Sequence, residues 1–90
     1  MTTPEADALL AVLDAGGVLR VPFSTTLYPD TVAHRSTLRR DGDGFELTTY
    51  YSEFAPGHGL SAEMTQREFR SRAQVRESLE CARREDCVAA

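Results

Sequence analysis

One turn signal, the sequence DGDG at residues 41–44, constrains this chain more than any other feature. It separates two long segments in which apolar and polar residues alternate, as they do in half-buried β-strands. Glycine at position 42 suits the first central position of a type II′ turn, whose twist matches that of the flanking strands. The sequence therefore predicts an antiparallel hairpin of residues 32–40 and 45–54.

A two-residue loop of Gly42 and Asp43 also predicts the register of this hairpin. The predicted pairs are Arg40–Phe45, Leu38–Leu47, Ser36–Thr49 and His34–Tyr51. One face of the hairpin then carries Val32, His34, Leu38, Phe45, Leu47 and Tyr51. The opposite face carries Arg35, Thr37, Arg39, Glu46, Thr48, Tyr50 and Phe54. A covered apolar face and a more polar face are expected for such a pair of strands.

The residues before the hairpin predict a helix and one further strand. Pro4 suits the first turn of a helix over residues 4–15, with Thr3 as its N-cap and glycines at 16 and 17 ending it. Its apolar stripe consists of Ala6, Leu9, Leu10 and Leu13. The alternating residues 18–23 predict a strand, which Pro22 places at a sheet edge or brings to an end.

The remainder of the chain predicts a loop followed by a long helix. The proline and glycines of residues 55–60 indicate the loop, and the pattern Thr65-Gln66-Arg67-Glu68 matches a capping box. The helix is expected to begin near Ser61 or Thr65 and to end near Glu85. The predicted fold is a single α+β domain spanning residues 1–90, with an N-terminal helix, a three-stranded antiparallel sheet and a long C-terminal helix.

Composition narrows the class of partner and the compartment. A net charge of −4 opposes general attraction to nucleic acid or to an anionic membrane surface. The longest apolar run, residues 8–13, is far too short to cross a bilayer, and no apolar leader follows Met1. With only two cysteines, the chain is expected in a reducing cytoplasm and without a disulfide framework.

Arginines nevertheless cluster in two places, in the hairpin (Arg35, Arg39 and Arg40) and in the predicted last helix (Arg67, Arg70, Arg72 and Arg76). Such clusters are compatible with a nucleic-acid-associated regulator. The alternative is that nearby carboxylates compensate them, for example through the helical pairs Glu68–Arg72, Arg76–Glu80 and Glu80–Arg84. Because the chain has no lysine, arginine is its default cation, which weakens the argument for phosphate recognition.

Catalytic and metal-binding motifs are weak. Two histidines and two cysteines suffice in number for zinc, but His34, His58, Cys81 and Cys87 lack the usual ligand spacing. The two cysteines are six positions apart, which favours free thiols, since six helical residues separate Cα atoms by roughly 9 Å. His58 lies in a glycine-rich loop and His34 on a strand, so a small hydrolase would require one of them to meet a serine or carboxylate in a pocket. We therefore expect no cofactor and no metal.

An interaction surface is the preferred hypothesis. Tyrosine, phenylalanine and arginine are enriched in interface cores, and the register directs Tyr50 and Phe54 away from the predicted core face. The candidate partner-binding residues are Tyr28, Tyr50, Phe54, Arg35, Arg39, Arg67 and Arg70. The sequence thus predicts a non-catalytic module that binds a protein partner or a second copy of itself.

Overall fold

The computed structural model describes residues 1–55, 57 and 59–90, apart from the side chains of residues 55 and 59–62. Helix α1 (Thr3–Asp14) precedes strands β1 (Val18–Val21), β2 (Thr31–Asp41), β3 (Gly44–Ala55) and β4 (Gly59–Arg70). Helix α2 (Arg72–Cys81), a 3₁₀ helix (Arg84–Asp86) and strand β5 (Val88–Ala89) complete the chain. The five strands form one antiparallel sheet in the order β4-β3-β2-β1-β5, which confirms the α+β class.

The predicted three-stranded sheet and long C-terminal helix are wrong. Residues 59–70 form a fourth strand along β3, and α2 begins only at Arg72. A capping box does open α2, but Ser71 and Gln74 form it, while Thr65 lies within β4. Backbone pairing with the long strand β3 overrides the local helix signal, because strand formation depends strongly on tertiary context.

The hairpin turn and the inner part of its register are confirmed. Gly42 has a φ of 61°, and Asp43 is not among the residues with positive φ, as a type II′ turn requires. Leu38 lies opposite Leu47, and Ser36 lies opposite Thr49. Both leucines are fully buried, so the turn chemistry places the apolar residues of this hairpin on the core side.

The outer register differs because a β-bulge occurs at His34. Ala33, and not His34, lies opposite Tyr51, while Arg35 lies opposite Tyr50. A one-residue shift reverses the face of every residue beyond it. Val32 therefore lies opposite Ser52 and is exposed, so its predicted place on the core face is wrong.

Helix α1 is held by a cap at each end and agrees with its predicted bounds to within one residue. Its N-cap is Thr2, one residue before the predicted Thr3, and Thr2 forms a capping box with Glu5. At the C-terminal end, Gly17 N–H donates to Val12 O and Gly16 N–H donates to Leu13 O. These two bonds, with a φ of 92° at Gly16, constitute a Schellman motif.

The core lies between the two helices and one face of the sheet. α1 and α2 contribute Ala6, Leu9, Leu10, Leu13, Val75 and Leu79, and the strands contribute Leu19, Val21, Leu38, Phe45 and Leu47. Cys87, after the 3₁₀ helix, completes this cluster. Both helices therefore pack on the same sheet face, and no element of the described structure packs on the other.

The connection from β1 to β2 extends the cover of the core-side face. β1 ends at Val21, just before Pro22, and β5 pairs with its outer side, so the alternative that β1 is an edge strand is wrong. Thr25 N–H donates to Thr49 Oγ1, and Thr26 N–H donates to Glu68 Oε1. These bonds hold the connection against β3 and β4 beyond the ends of the helices.

Candidate functional site

The uncovered side of the sheet, here called the open sheet face, is the largest candidate site. Residues directly opposite each other in an antiparallel ladder point to the same face, so the register defines its members. They are Val18 and Arg20 of β1, Val32, Arg35, Thr37, Arg39 and Asp41 of β2, Gly44, Glu46, Thr48, Tyr50, Ser52 and Phe54 of β3, Glu63, Thr65, Arg67 and Phe69 of β4, and Val88 of β5.

Large apolar side chains on this face are exposed to solvent. Phe69 is 59% exposed and Phe54 is 48% exposed, while Val18, Val32 and Val88 are also exposed. Isolated apolar residues on a surface are ordinary, but several on one uncovered sheet face are typical of a surface that another molecule covers.

The ring of Phe69 lies over Gly44. A Cβ atom placed on Gly44 would lie 2.2 Å from Phe69 Cζ and 2.5 Å from its Cε2, so the ring occupies the space that a side chain at Gly44 would fill. The ring is nevertheless exposed to solvent. An aromatic residue over a strand glycine compensates for the missing side chain and also leaves a flat apolar contact surface.

Arg35 and Tyr50 form a second ordered group on this face. The guanidinium carbon of Arg35 lies 4.1 Å from the centre of the Tyr50 ring, and Arg35 Nη2 lies 3.5 Å from Glu63 Oε1. The ring and the carboxylate fix the arginine between them. Tyr50 is therefore half-covered within the chain, and its predicted availability to a partner is reduced.

Glu46 connects two more arginines of the open sheet face. Its Oε1 lies 3.0 Å from Arg39 Nη2 and 4.0 Å from Arg67 Nε. The compensation predicted for Arg39 is thus observed. Arg20, on the same face, forms no ion pair with any residue in the described part of the chain.

Charge is distributed unevenly over the molecule. The open sheet face carries four arginines, two glutamates and Asp41, hence a formal +1. Because the whole chain carries −4, the rest of the molecule carries −5. The net charge of the whole chain does not reveal this uneven distribution, because the register of four strands determines which charged residues share the open sheet face.

Two predicted partner-binding residues lie elsewhere. Arg70 pairs with Phe45 in the ladder and points to the core side, where its Nη2 donates to Glu68 Oε2 at 2.8 Å and to Ser24 O at 3.5 Å. Arg70 therefore contacts the β1–β2 connection and lies on the side of the sheet opposite the open sheet face. Tyr28 lies in that connection, 78% exposed, and does not belong to the open sheet face.

Glu68 anchors the β1–β2 connection through its charge. Burial raises the pKa of this carboxyl, but the hydrogen bonds that it accepts from Thr26 N–H and from Arg70 outweigh burial and lower the pKa below its ordinary value. The predicted helical pairs of Glu68 with Arg72 and of Glu80 with Arg84 are wrong. The predicted proximity of Arg76 to Glu80 is observed at 4.0 Å.

The sequence analysis missed Phe69, Val18, Val88 and Glu63, which are members of the open sheet face. Position 69 falls inside the predicted C-terminal helix, because residues 65–68 match a capping box. Alternation within β4 is a usable signal, since Glu63, Thr65, Arg67 and Phe69 all share one face. β5 has only two residues and carries no such signal.

His34 meets a serine, as the hydrolase hypothesis required. Its Nε2 lies 2.6 Å from Ser52 Oγ at the bulge. A cavity of about 190 Å³ beside His34 is lined by Val21, Pro22, Ser24, Ala33, Arg35 and Ser36, and Ser52 does not line it. A serine nucleophile also needs oxyanion donors next to a substrate site, so this pair alone supports no catalytic assignment. His58 lies outside the described residues.

A larger cavity of about 410 Å³ lies between the end of β1 and α2. Pro22, Phe23, Glu77, Ser78, Cys81 and Ala82 line it. Cys81 is exposed and Cys87 is buried, and both are free thiols. The described residues contain no group of three or more histidine, cysteine, aspartate or glutamate side chains that could hold a metal ion.

Comparisons of this chain with models of protein families, with curated proteins and with solved structures find no match. Neither of the described helices is long and apolar enough to cross a membrane.

Proposed function

We propose that this protein is a non-catalytic module of the cytoplasm that binds another protein through the open sheet face. The observation that supports it is the placement of both helices on one side of the sheet. The other side presents Phe69, Phe54 and three exposed valines without cover from the described chain. Monomeric proteins seldom expose such an apolar surface unless it takes part in binding.

The size and composition of the face fit this function. Strands are spaced about 4.8 Å apart and rise roughly 3.3 Å per residue. The part of the face formed by β2, β3 and β4 therefore has a flat area on the order of 500 Å², to which protruding side chains add further surface. A standard interface buries about 800 Å² on each partner. Interface cores are enriched in aromatic residues and arginine and depleted in lysine, and this face has the same composition.

A comparative capture experiment tests the proposal. The protein is immobilised, exposed to nuclease-treated lysate of its source organism, and the retained proteins are quantified for the parent and for Phe69→Ser. Val12→Ser is the matched control, because Val12 is a 41% exposed apolar residue of α1, away from the open sheet face. Thermal melting confirms that each variant remains folded.

We expect at least one protein to be retained by the parent and by Val12→Ser and to be lost with Phe69→Ser. Interface anchors cost more than about 1 kcal/mol when truncated, which is a loss of fivefold or more in affinity. Equal retention by all three proteins would contradict the proposal. So would equal loss in both variants, because the α1 surface would then matter as much as the open sheet face.

A further inference from the structure

The open sheet face contains one row of four polar residues that crosses four strands. Arg67 of β4 lies opposite Thr48 of β3, Thr48 lies opposite Thr37 of β2, and Thr37 lies opposite Arg20 of β1. Three strand spacings of about 4.8 Å separate the ends of the row, so the two arginine Cα atoms lie roughly 14 Å apart. Two guanidinium groups thus flank two threonines on one flat surface.

The cations of this row have more hydrogen-bond donors than the described chain satisfies. Arg20 forms no ion pair with a described residue, and Arg67 reaches only Glu46, at 4.0 Å. Glu46 is closer to Arg39, at 3.0 Å, so one carboxylate serves two guanidinium groups. Each guanidinium has five N–H donors and pairs well with the two oxygens of a carboxylate.

We infer that the partner of the open sheet face is an acidic protein surface whose carboxylates pair with Arg20 and Arg67 beside apolar side chains that cover Phe69 and Val18. This inference rests on the proposed function and adds the chemistry of the partner. Charge complementarity supports it, because the face carries +1 while the rest of the molecule carries −5.

A second copy of the chain fits this face less well. An isologous dimer places the same patch on both sides of the interface. Two faces that each carry a net positive charge would then oppose each other, which disfavours association. The same arginines meet complementary charge only on a different surface.

Nucleic acid also fits less well than an acidic protein. Single strands bind where successive bases stack on accessible aromatic faces along a basic groove. Tyr50 is occupied by Arg35, and Phe54 lies four residues from it along β3, a distance of about 13 Å.

Nuclear magnetic resonance titration of the full chain with defined probes tests this inference. The probes are a peptide of alternating glutamate and leucine, the same peptide with lysine in place of glutamate, and oligothymidylate of equal length. Amide shifts identify the surface that binds and give the dissociation constant. Arg20→Gln and Arg67→Gln are the test variants, and Arg83→Gln is the control, since Arg83 is an exposed arginine of the C-terminal segment paired with Glu85.

We expect the glutamate peptide to shift amides of the open sheet face and to bind more tightly than the other two probes. Arg20→Gln and Arg67→Gln should each weaken that binding by about threefold or more, and Arg83→Gln should leave it nearly unchanged. A threefold loss of affinity corresponds to about 0.7 kcal/mol, which lies within the range for an exposed ion pair.

Three outcomes would overturn the inference. Failure of the glutamate peptide to bind this face would refute the acidic chemistry, while a protein captured through Phe69 would still support the proposed function. Tighter binding of oligothymidylate would indicate nucleic acid as the partner. Sedimentation of the parent as a dimer, reduced to a monomer by Phe69→Ser, would indicate a second copy.

Discussion

Asp14, the last residue of α1, accepts a hydrogen bond of 2.5 Å from Arg72, the first residue of α2. This bond is the main reason that the pKa of the Asp14 carboxyl is lowered, and Arg40, at 3.3 Å, adds to the effect. A carboxylate at the C-terminal end of a helix opposes the helix dipole. The two arginines offset that cost and join both helices to β2.

Asp14→Asn should therefore lower the free energy of unfolding at neutral pH. Since the folded pKa lies below the ordinary value of 3.8, the stabilisation is complete above that value and is lost as pH falls through the lowered pKa. Chemical denaturation of parent and variant between pH 7 and pH 2.5 checks this. The difference between them should shrink toward acid, and a difference that stays constant would refute the role of the charge.

Asp43→Asn is the matched control for this experiment. Asp43 lies in the hairpin turn and forms no ion pair with a residue of the described structure. Removing its charge should leave the pH dependence of unfolding as it is in the parent. An equal change in both variants would point to the net charge of the chain instead of the Asp14–Arg72 bond.

Gly44→Ala should destabilise the hairpin through its contact with Phe69. The new methyl group would lie 2.2 Å from the Phe69 ring and 2.8 Å from Arg70 O, so the ring must move and the β4 backbone must adjust. Overpacking of this kind costs about 1–3 kcal/mol. Chemical denaturation measures it directly.

A double-variant cycle separates the ring from the backbone in this cost. Without the ring, in Phe69→Ala, only the contact with Arg70 O remains, so Gly44→Ala should cost less in that background. If the substitution costs the same in both backgrounds, the Phe69 ring does not occupy the space above Gly44.

The sequence predicts those parts of the fold that are determined by interactions between residues close together in the chain. The turn at Gly42 and the alternation around it suffice for the inner register, because both are properties of neighbouring residues. The bulge at His34 depends on the pairing and twist of two strands, and the residues around it carry no sequence signal that predicts it. The face of Val32 was therefore not predictable.

The C-terminal half shows the same limit for helix signals. The patterns Thr65-x-x-Glu68 and Ser71-x-x-Gln74 are equally good capping boxes, and only the second begins a helix. The segment that contains the first pattern pairs instead with β3, a long strand, and forms β4. Because Phe69 belongs to that segment, the sequence analysis found Arg35, Arg39, Arg67, Tyr50 and Phe54 of the open sheet face and missed its most exposed ring.

Leu47→Ala should be among the most destabilising substitutions in the chain. Leu47 is fully buried between β2 and the helices, and its truncation should cost about 2–5 kcal/mol. Thr48→Ala is the neighbouring control on the opposite face and should cost much less, since it leaves the core intact. Equal costs for the two variants would contradict the assignment of the two faces.

The two thiols should differ sharply in reactivity. Burial raises the pKa of the Cys87 thiol, with only partial opposition from Arg84, whereas Cys81 is exposed at the end of α2. Because the thiolate is the reactive form, a disulfide reagent such as dithiobis(nitrobenzoate) should label one thiol rapidly and the second only at the rate of unfolding. Cys81→Ser should remove the fast phase, and Cys87→Ser should remove the slow one.

The same difference should appear in stability. Cys87 belongs to the hydrophobic core, whereas Cys81 does not. A buried cysteine acts as a small apolar residue, so Cys87→Ala should cost about 1 kcal/mol and Cys81→Ala close to none. Two thiols that react at one rate, together with equal stability losses, would show that Cys87 is accessible in the folded protein and that the 3₁₀ segment does not close the core.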